Sequence, residues 1–185
     1  MKVLRCLMTL ATLTLFLVGV SYATEQSVPS YTKTVSVVLH NIRLAKRDEH
    51  SGDELYLTTT AYTDKPKQRP EHQRIPRFPI YWISSHLEPL KNVPVWQGKL
   101  NDNENVTLIF SLMEHDAPPW DTDDLLGTVK LHLTNKAGVI ESDWRLPNHA
   151  DGKPLVVQTN AGEIEQFVFL ADRAVYELGF QLRIK

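Results

Sequence analysis

Residues 106–131, VTLIFSLMEHDAPPWDTDDLLGTVKL, are the stretch that decides the fold. The first eight residues form an apolar run rich in β-branched and aromatic side chains, which is typical of a strand. A loop with two prolines follows, five acidic residues lie between Glu114 and Asp124, and a second strand pattern comes next. Carboxylates on a loop between two strands are the oxygen ligands that a hard cation such as calcium prefers. The stretch therefore predicts two strands joined by an acidic loop that is a candidate cation site.

The first 23 residues have the pattern of a secretory signal peptide. Lys2 and Arg5 form a positive head, an apolar run extends to Val20, and small residues precede a predicted cleavage after Ala23. The run is too short for a comfortable membrane span, so we expect a secreted or periplasmic chain without a transmembrane segment. The single cysteine, Cys6, lies in this leader. The exported chain is therefore expected to contain no disulfide and no thiolate metal site.

The rest of the chain is predicted to be one domain, residues 33–185, behind a polar and flexible lead-in at residues 24–32. The whole sequence has 20 basic and 22 acidic residues, and the chain without the leader has 18 basic and 22 acidic residues. This acidic balance gives no reason to expect nucleic-acid binding. The sequence contains no Gly-x-Ser-x-Gly, no His-Glu-x-x-His and no phosphate-binding glycine loop, so we do not expect an enzyme. A hydrolase that uses the clustered carboxylates is the minor alternative.

Short strand patterns separated by turn residues fill this domain, and no long helical pattern occurs. The predicted strands lie at residues 35–44, 55–62, 78–83, 93–100, 106–113, 126–133, 139–144, 154–158, 164–170 and 175–184. Residues 64–77 contain five basic residues, two acidic residues and three prolines, and are predicted to form a solvated basic loop. A helix is left open within residues 84–91 or 145–153. The pattern predicts an all-β fold, an antiparallel β-sandwich of about eight strands.

Two acidic segments are predicted to lie at the same end of this sandwich. If every connection reverses the chain, four strands separate the turn at residues 48–54 from the loop at residues 114–124, and an even number returns the chain to the same end. The basic loop is one strand away and is expected at the opposite end. Carboxylates brought together in this way repel one another unless a cation neutralises them. The acidic residues predicted to share this end are Asp48, Glu49, Asp53, Glu54, Glu114, Asp116, Asp121, Asp123 and Asp124.

The two acidic segments resemble the loops of the C2 domain, a β-sandwich family that binds phospholipids in a calcium-dependent manner. The sequence LAKRD at residues 44–48, followed by Gly52 and Asp53, is similar to the first loop of that family. The sequences EHD at residues 114–116 and DLLG at residues 124–127 are similar to the second. The chain departs from the family in four ways. Glu54, rather than Asp53, lies at the usual spacing of the second aspartate in the first loop, and Asp-Pro-Tyr is absent. Glu114 stands where the family commonly has aspartate, and the second loop is longer and contains Pro118-Pro119-Trp120.

The resemblance implies Ca²⁺ as a cofactor and a C2-like module that engages an anionic phospholipid surface or a protein partner. The implied metal ligands come from both acidic segments: Asp48, Asp53, Glu54, Glu114, Asp116 and Asp124. The predicted membrane or partner contacts are one loop-tip aromatic residue and three basic residues: Trp120, Lys65, Lys67 and Arg69. The alternative interpretation is a metal-free interaction or scaffold domain of a secretion or envelope assembly, which would dock partners through strand edges and loops.

Overall fold

The computed structural model describes residues 31–46, 52–65, 67–116, 122–146, 155–157, 161–171 and 174–185. The strands in these ranges are β1 (Lys33–Lys46), β2 (Glu54–Thr63), β3 (Glu71–Ile75), β4 (Trp82–Ile83), β5 (Lys91–Leu100), β6 (Asn105–Glu114), β7 (Asp124–Lys136), β8 (Val139–Leu146), β9 (Leu155–Val157), β10 (Ile164–Leu170) and β11 (Val175–Ile184). A 3₁₀ helix spans Ser84–His86. Within the described ranges, no helix has the length and apolar character needed to cross a membrane.

The strands form two antiparallel sheets that pack face to face. Sheet A has the order β10-β11-β1-β5, and sheet B has the order β3-β2-β6-β7-β8-β9, with β4 also paired to β2. Eight strands have seven or more residues, and the other three, β3, β4 and β9, are short segments at the edges of sheet B. The predicted antiparallel β-sandwich is therefore confirmed. Each of the ten predicted segments overlaps a strand, and β3 is the strand in the described ranges that was not predicted.

The core forms because alternate residues of each strand point between the sheets. In β6, Phe110 is fully buried and meets the rings of Trp144 and Phe180 at centroid distances of 6.3 Å and 5.0 Å. Trp144 belongs to sheet B and Phe180 to sheet A, with their centroids 5.8 Å apart. These aromatic contacts join the two sheets through the middle of the sandwich.

Two sequence predictions at one edge of sheet B were wrong. Residues 71–75, assigned to the basic loop, form β3, and only residues 82–83 of the predicted strand 78–83 pair with β2. The sequence of β3, EHQRI, is polar on both faces and therefore lacks the apolar alternation that indicates a strand. Pro76 and Pro79 have no N–H for the ladder and separate β3 from β4. The helix left open at 84–91 is the short 3₁₀ helix, and residues 147–153 lie outside the described ranges.

The strand register confirms that the described parts of the two acidic segments share one end of the sandwich. Leu55, at the start of β2, pairs with Glu114, which in turn pairs with Asp124 at the start of β7. The other end of β2 leads into the basic loop, where Lys65 lies beside Glu104. We call the end around Glu114 and Asp124 the acidic end, and the end around Lys65 and Glu104 the basic end.

Candidate functional site at the acidic end

Asp53, one of the six predicted metal ligands, is built into the fold. Its side chain is buried, and its carboxylate accepts a hydrogen bond from the hydroxyl group of Tyr176, which is also buried. Because Asp53 immediately precedes β2 and Tyr176 lies on β11, this hydrogen bond links the two sheets. The N–H of Asp53 also donates to Oγ of Ser84 at 2.8 Å. Asp53 thus has a structural role that its sequence context did not indicate.

The other predicted ligands lie at the rim of the acidic end or outside the described ranges. Glu54 and Asp124 are exposed, while Glu114 and Asp116 are half-buried. Asp48 lies outside the described residues. In the part of the chain that the structure describes, no three carboxylate, histidine or cysteine side chains form a group that could hold a metal ion. The ligand set implied by the C2 resemblance stays a prediction.

Asp123, a carboxylate outside the predicted ligand set, is held from three directions. The hydroxyl group of Tyr56 donates to its Oδ2 at 2.5 Å. Nδ1 of His115 lies 2.9 Å from its Oδ1, and the backbone N–H of Asp116 donates to the same oxygen at 3.4 Å. Since a carboxylate only accepts hydrogen bonds, the proton shared with His115 is carried by Nδ1. These contacts tie the start of β7 to both β2 and β6.

The same contacts shift two pKa values in opposite directions. Burial, together with the hydrogen bond to the Asp123 carboxylate, raises the pKa of Tyr56 to about 12. Burial also disfavours the ionised form of Asp123, but the hydrogen bonds from Tyr56, His115 and the Asp116 amide outweigh it and lower the pKa of this carboxyl group. At neutral pH, Tyr56 is therefore the neutral donor and Asp123 the charged acceptor.

Arg74, on β3, places its guanidinium group among three aromatic rings. Its Cζ lies 4.0 Å from the ring centroid of Tyr56, 4.7 Å from that of Tyr81 and 5.5 Å from that of Phe78. Its Nε and Nη2 are buried and have no hydrogen-bond partner among the described residues. Tyr81 also stacks on His115, with 4.4 Å between the ring centroids. Attraction between the cation and the electron-rich ring faces therefore replaces part of the hydration of this charge.

Exposed apolar side chains adjoin this cluster. Phe78 and Ile80, between β3 and β4, are 70% and 63% exposed, and Leu125 on β7 is 54% exposed. Leu125 pairs with Met113, which pairs with Tyr56, so one row on the outer face of sheet B leads from Leu125 towards Arg74 and its rings. We call Phe78, Ile80 and Leu125 the acidic-end patch. Two of the three patch residues, Phe78 and Ile80, lie in the aromatic run at residues 78–82. The sequence analysis interpreted this run as part of a strand.

The predicted membrane or partner contacts do not gather at this patch. Lys65, Lys67 and Arg69 are exposed at the basic end, and Nζ of Lys65 forms an ion pair with Glu104 at 3.1 Å. Trp120 lies outside the described residues. Because the basic end and the acidic end are opposite ends of the sandwich, the three basic residues cannot meet the same flat surface as the patch when the acidic end points at it.

Comparisons with known proteins give likeness of fold only. No family model matches the sequence, and no curated protein matches it. A C2 domain of a plant extended synaptotagmin 1 matches with a TM-score of 0.35 at 12% identity, over 81% of this chain and 93% of that chain. Human GIVD cytosolic phospholipase A2 matches with a TM-score of 0.39 at 11% identity, over 83% of this chain. The matched region is 16% of that chain, so the present sequence spans less than a fifth of the human enzyme.

A second structure of the same human enzyme, in complex with methyl gamma-linolenyl fluorophosphonate inhibitor and terbium chloride, matches with a TM-score of 0.36 at 9% identity. It covers 83% of this chain and 18% of that chain. A C2 domain is thus among the structures to which this chain is similar, and C2 is the family that its two acidic segments resemble. At these TM-scores and identities, the matches assign no ligand and no activity to this chain.

Proposed function

We propose that this chain is a binding module that attaches to a phospholipid surface through its acidic end. The supporting observation is the acidic-end patch, in which Phe78, Ile80 and Leu125 are more than half exposed at the end that also holds Arg74. Exposed apolar side chains grouped on one surface mark interaction sites. Burial of each side chain in the membrane interface would contribute about 1–2 kcal/mol, given the part of it that water now covers.

Arg74 complements this patch with a positive charge at a defined depth. Its Cζ lies 5.5 Å from the ring centroid of Phe78, so insertion of that ring would leave the guanidinium group near the lipid headgroups. Guanidinium groups bind phosphate oxygens through strong, charge-assisted hydrogen bonds. The cluster therefore combines an apolar anchor with a positive charge close to the lipid headgroups.

We also propose that calcium strengthens this attachment. Glu114, Asp116 and Asp124 do not form a metal-binding group in the described part of the chain, so in this proposal calcium draws them together, and Asp48 adds a fourth carboxylate. These acidic groups would repel an anionic lipid surface, and a bound divalent cation would reverse the sign of the local charge. Asp53 is left out of the set because its carboxylate serves the link to β11.

Vesicle sedimentation tests the attachment. Vesicles of phosphatidylserine and phosphatidylcholine are mixed with the chain from Thr24 onwards, because the apolar run of the leader would itself associate with lipid. We expect the double variant Phe78→Ser and Ile80→Ser to lower vesicle affinity by at least about tenfold. Val139→Ser is the matched control, because Val139 is 64% exposed and lies at the basic end. Equal losses in the two variants, or no loss in the double variant, would refute the proposal.

The same assay tests whether calcium contributes to vesicle binding. With a chelator in place of calcium, we expect weaker binding, and Asp124→Asn should reproduce that loss in the presence of calcium. Binding that is unchanged by the chelator would remove the calcium proposal and leave the lipid proposal in place.

A metal-free function in protein interaction is supported by a different surface. β10 is an edge strand of sheet A, and Ile164, Val168 and Leu170 expose apolar side chains on its outward face. An edge of this kind can accept an extended segment of a partner through backbone hydrogen bonds. This function predicts a complex, isolated from an envelope extract, that survives a chelator and is lost in Val168→Lys. Dissociation of the complex when a chelator is added would count against this metal-free function.

We propose export as the setting of this function, with cleavage after Ala23. The support is the leader pattern of residues 1–23, which lie outside the described ranges. Mass spectrometry of the protein recovered from the periplasm or the medium should give a chain that begins at Thr24. A cytoplasmic protein that still contains Cys6 would refute export.

A further inference from the structure

A cleft of about 490 Å³ opens between the two sheets at the basic end. It lies between β5, the edge strand of sheet A, and the β2–β3 edge of sheet B. The inward-facing residues of β2 become smaller along the strand, from Leu55 and Leu57 to Thr59, Ala61 and Thr63. Because small side chains do not fill the space between the sheets, the cleft opens at Ala61 and Thr63. Its volume falls in the range of about 300–1,000 Å³ found for small-molecule sites.

Trp96 supplies an apolar wall to this cleft. Its indole ring lies against the backbone of Gly98, where an added Cβ would come within 2.5 Å of Cζ2 and 2.7 Å of Cη2. The missing side chain at residue 98 therefore gives the ring its position. Trp96 is half-buried, packs partly against the core and lines the cleft. The ring thus presents one face to the cleft while it packs against Gly98 and the core.

Polar side chains in hydrogen-bonded pairs surround this ring. Oγ1 of Thr63 donates to Oε1 of Gln68 at 2.8 Å, which leaves the amide hydrogens of Gln68 as donors. Nδ2 of Asn105 donates to Oδ2 of Asp64 at 2.5 Å, and the Asp64 carboxylate keeps further acceptor positions. The cleft therefore offers both donors and acceptors within reach of an apolar face.

The charges around the cleft nearly balance. Lys65 is paired with Glu104, and a backbone N–H together with Lys65 lowers the pKa of Glu104, so this pair is ionic at neutral pH. Lys99 faces the same cleft as Asp64 and Glu71. A phosphorylated ligand would meet more carboxylates than unpaired cations. An acyl chain would bury polar groups without giving them partners, which is costly.

We propose that this cleft binds a saccharide, a neutral ring with an apolar C–H face and hydroxyl groups at its edge. The indole ring of Trp96 packs against the C–H face. The amide of Gln68 donates to hydroxyl oxygens, and the carboxylates of Asp64 and Glu71 accept hydroxyl hydrogens. This site is at the basic end, so it is independent of the lipid attachment proposed for the acidic end.

Titration of the full chain with maltose, cellobiose and N,N′-diacetylchitobiose tests this site. Binding is followed by tryptophan fluorescence and by saturation-transfer NMR, which detects the bound sugar directly. We expect at least one of the three sugars to bind, and Trp96→Ala to weaken that binding by about tenfold or more. Trp96→Phe, which keeps an aromatic face, should retain part of the affinity.

A surface variant keeps the test decisive if the change at Trp96 disturbs folding. Gln68 is exposed, so Gln68→Ala should leave the thermal midpoint unchanged and weaken binding by about three- to tenfold through the lost hydrogen bonds. Val139→Ser, at the same end but outside the cleft, is the control and should leave sugar affinity unchanged. The proposal is overturned if none of the three sugars binds, or if Gln68→Ala binds as tightly as the wild type.

Discussion

Replacement of Asp53 distinguishes a structural carboxylate from a metal ligand. Asp53 is 4% exposed, and its partner Tyr176 is fully buried. Asp53→Ala removes the acceptor of the Tyr176 hydroxyl group and leaves a buried donor without it. A hydrogen bond to a charged group contributes about 1.5–3 kcal/mol. We therefore expect Asp53→Ala to lower the free energy of unfolding by about this amount, both in calcium and in a chelator.

Urea unfolding of a double-mutant cycle gives the measurement. Asp53→Ala, Tyr176→Phe and the double variant are compared with the wild type in a chelator, and the two changes should be less than additive by about 1–2 kcal/mol. Asp124→Ala, exposed at the same end, is the control and should change the free energy of unfolding by less than about 0.5 kcal/mol. The assignment of Asp53 as a structural residue is wrong if, in a chelator, Asp53→Ala changes the free energy of unfolding as little as Asp124→Ala does. In that case the variant would lose only the additional stability that calcium gives to the wild type.

Three further predictions concern neighbouring contacts. An added Cβ at Gly127 would lie 2.2 Å from Cγ of the buried Phe169. Gly127→Ala should therefore lower the free energy of unfolding by about 1–3 kcal/mol in the same urea assay. A change near zero would contradict this packing. The raised pKa of Tyr56 means that its stabilising contribution is complete below pH 10.0 and is lost towards about pH 12. Absorbance titration should therefore show a late tyrosine signal that decreases in Tyr56→Phe. The lowered pKa of Asp123 means that its contribution is complete above its ordinary value of 3.8 and is lost as the pH falls further. Asp123→Asn should therefore show a shallower loss of stability in acid, and an unchanged slope would contradict the network.

The sandwich itself could be predicted because the main strands carry their pattern locally. In β6, the buried side chains of Leu108, Phe110 and Leu112 alternate with outward-facing ones, and the predicted strand at residues 106–113 differs from the observed one by a single residue at each end. The shared acidic end was also predictable, even though residues 78–83 do not form one strand. β3 and β4 both run antiparallel to β2, so together they take the chain once from the basic end to the acidic end. In the count of chain reversals they therefore replace the single strand that was predicted at residues 78–83.

Two central hydrogen bonds of the candidate site were not predictable, because each joins residues that are distant in the sequence. Asp53 and Tyr176 are 123 residues apart, and Tyr56 and Asp123 are 67 residues apart. A carboxylate just before a strand has the same local sequence whether it binds a metal or accepts a hydrogen bond. Arg74 was assigned to a solvated loop because its own segment is polar, and the interpretation of residues 78–83 as a strand did not indicate that Phe78 and Tyr81 lie against its guanidinium group.

Depth measurement on lipid vesicles tests most directly whether the acidic-end patch enters a membrane. A spin label is attached through Ile80→Cys or Val139→Cys in the chain from Thr24 onwards, which lacks Cys6 and therefore carries one label at a time. The two positions are matched, because their side chains are 63% and 64% exposed at opposite ends of the sandwich. On vesicles of phosphatidylserine and phosphatidylcholine with calcium, we expect the label at residue 80 to become accessible to oxygen and protected from a water-soluble nickel complex. The label at residue 139 should stay in water, and equal access of the nickel complex to both labels on vesicle-bound protein would contradict attachment through the acidic end.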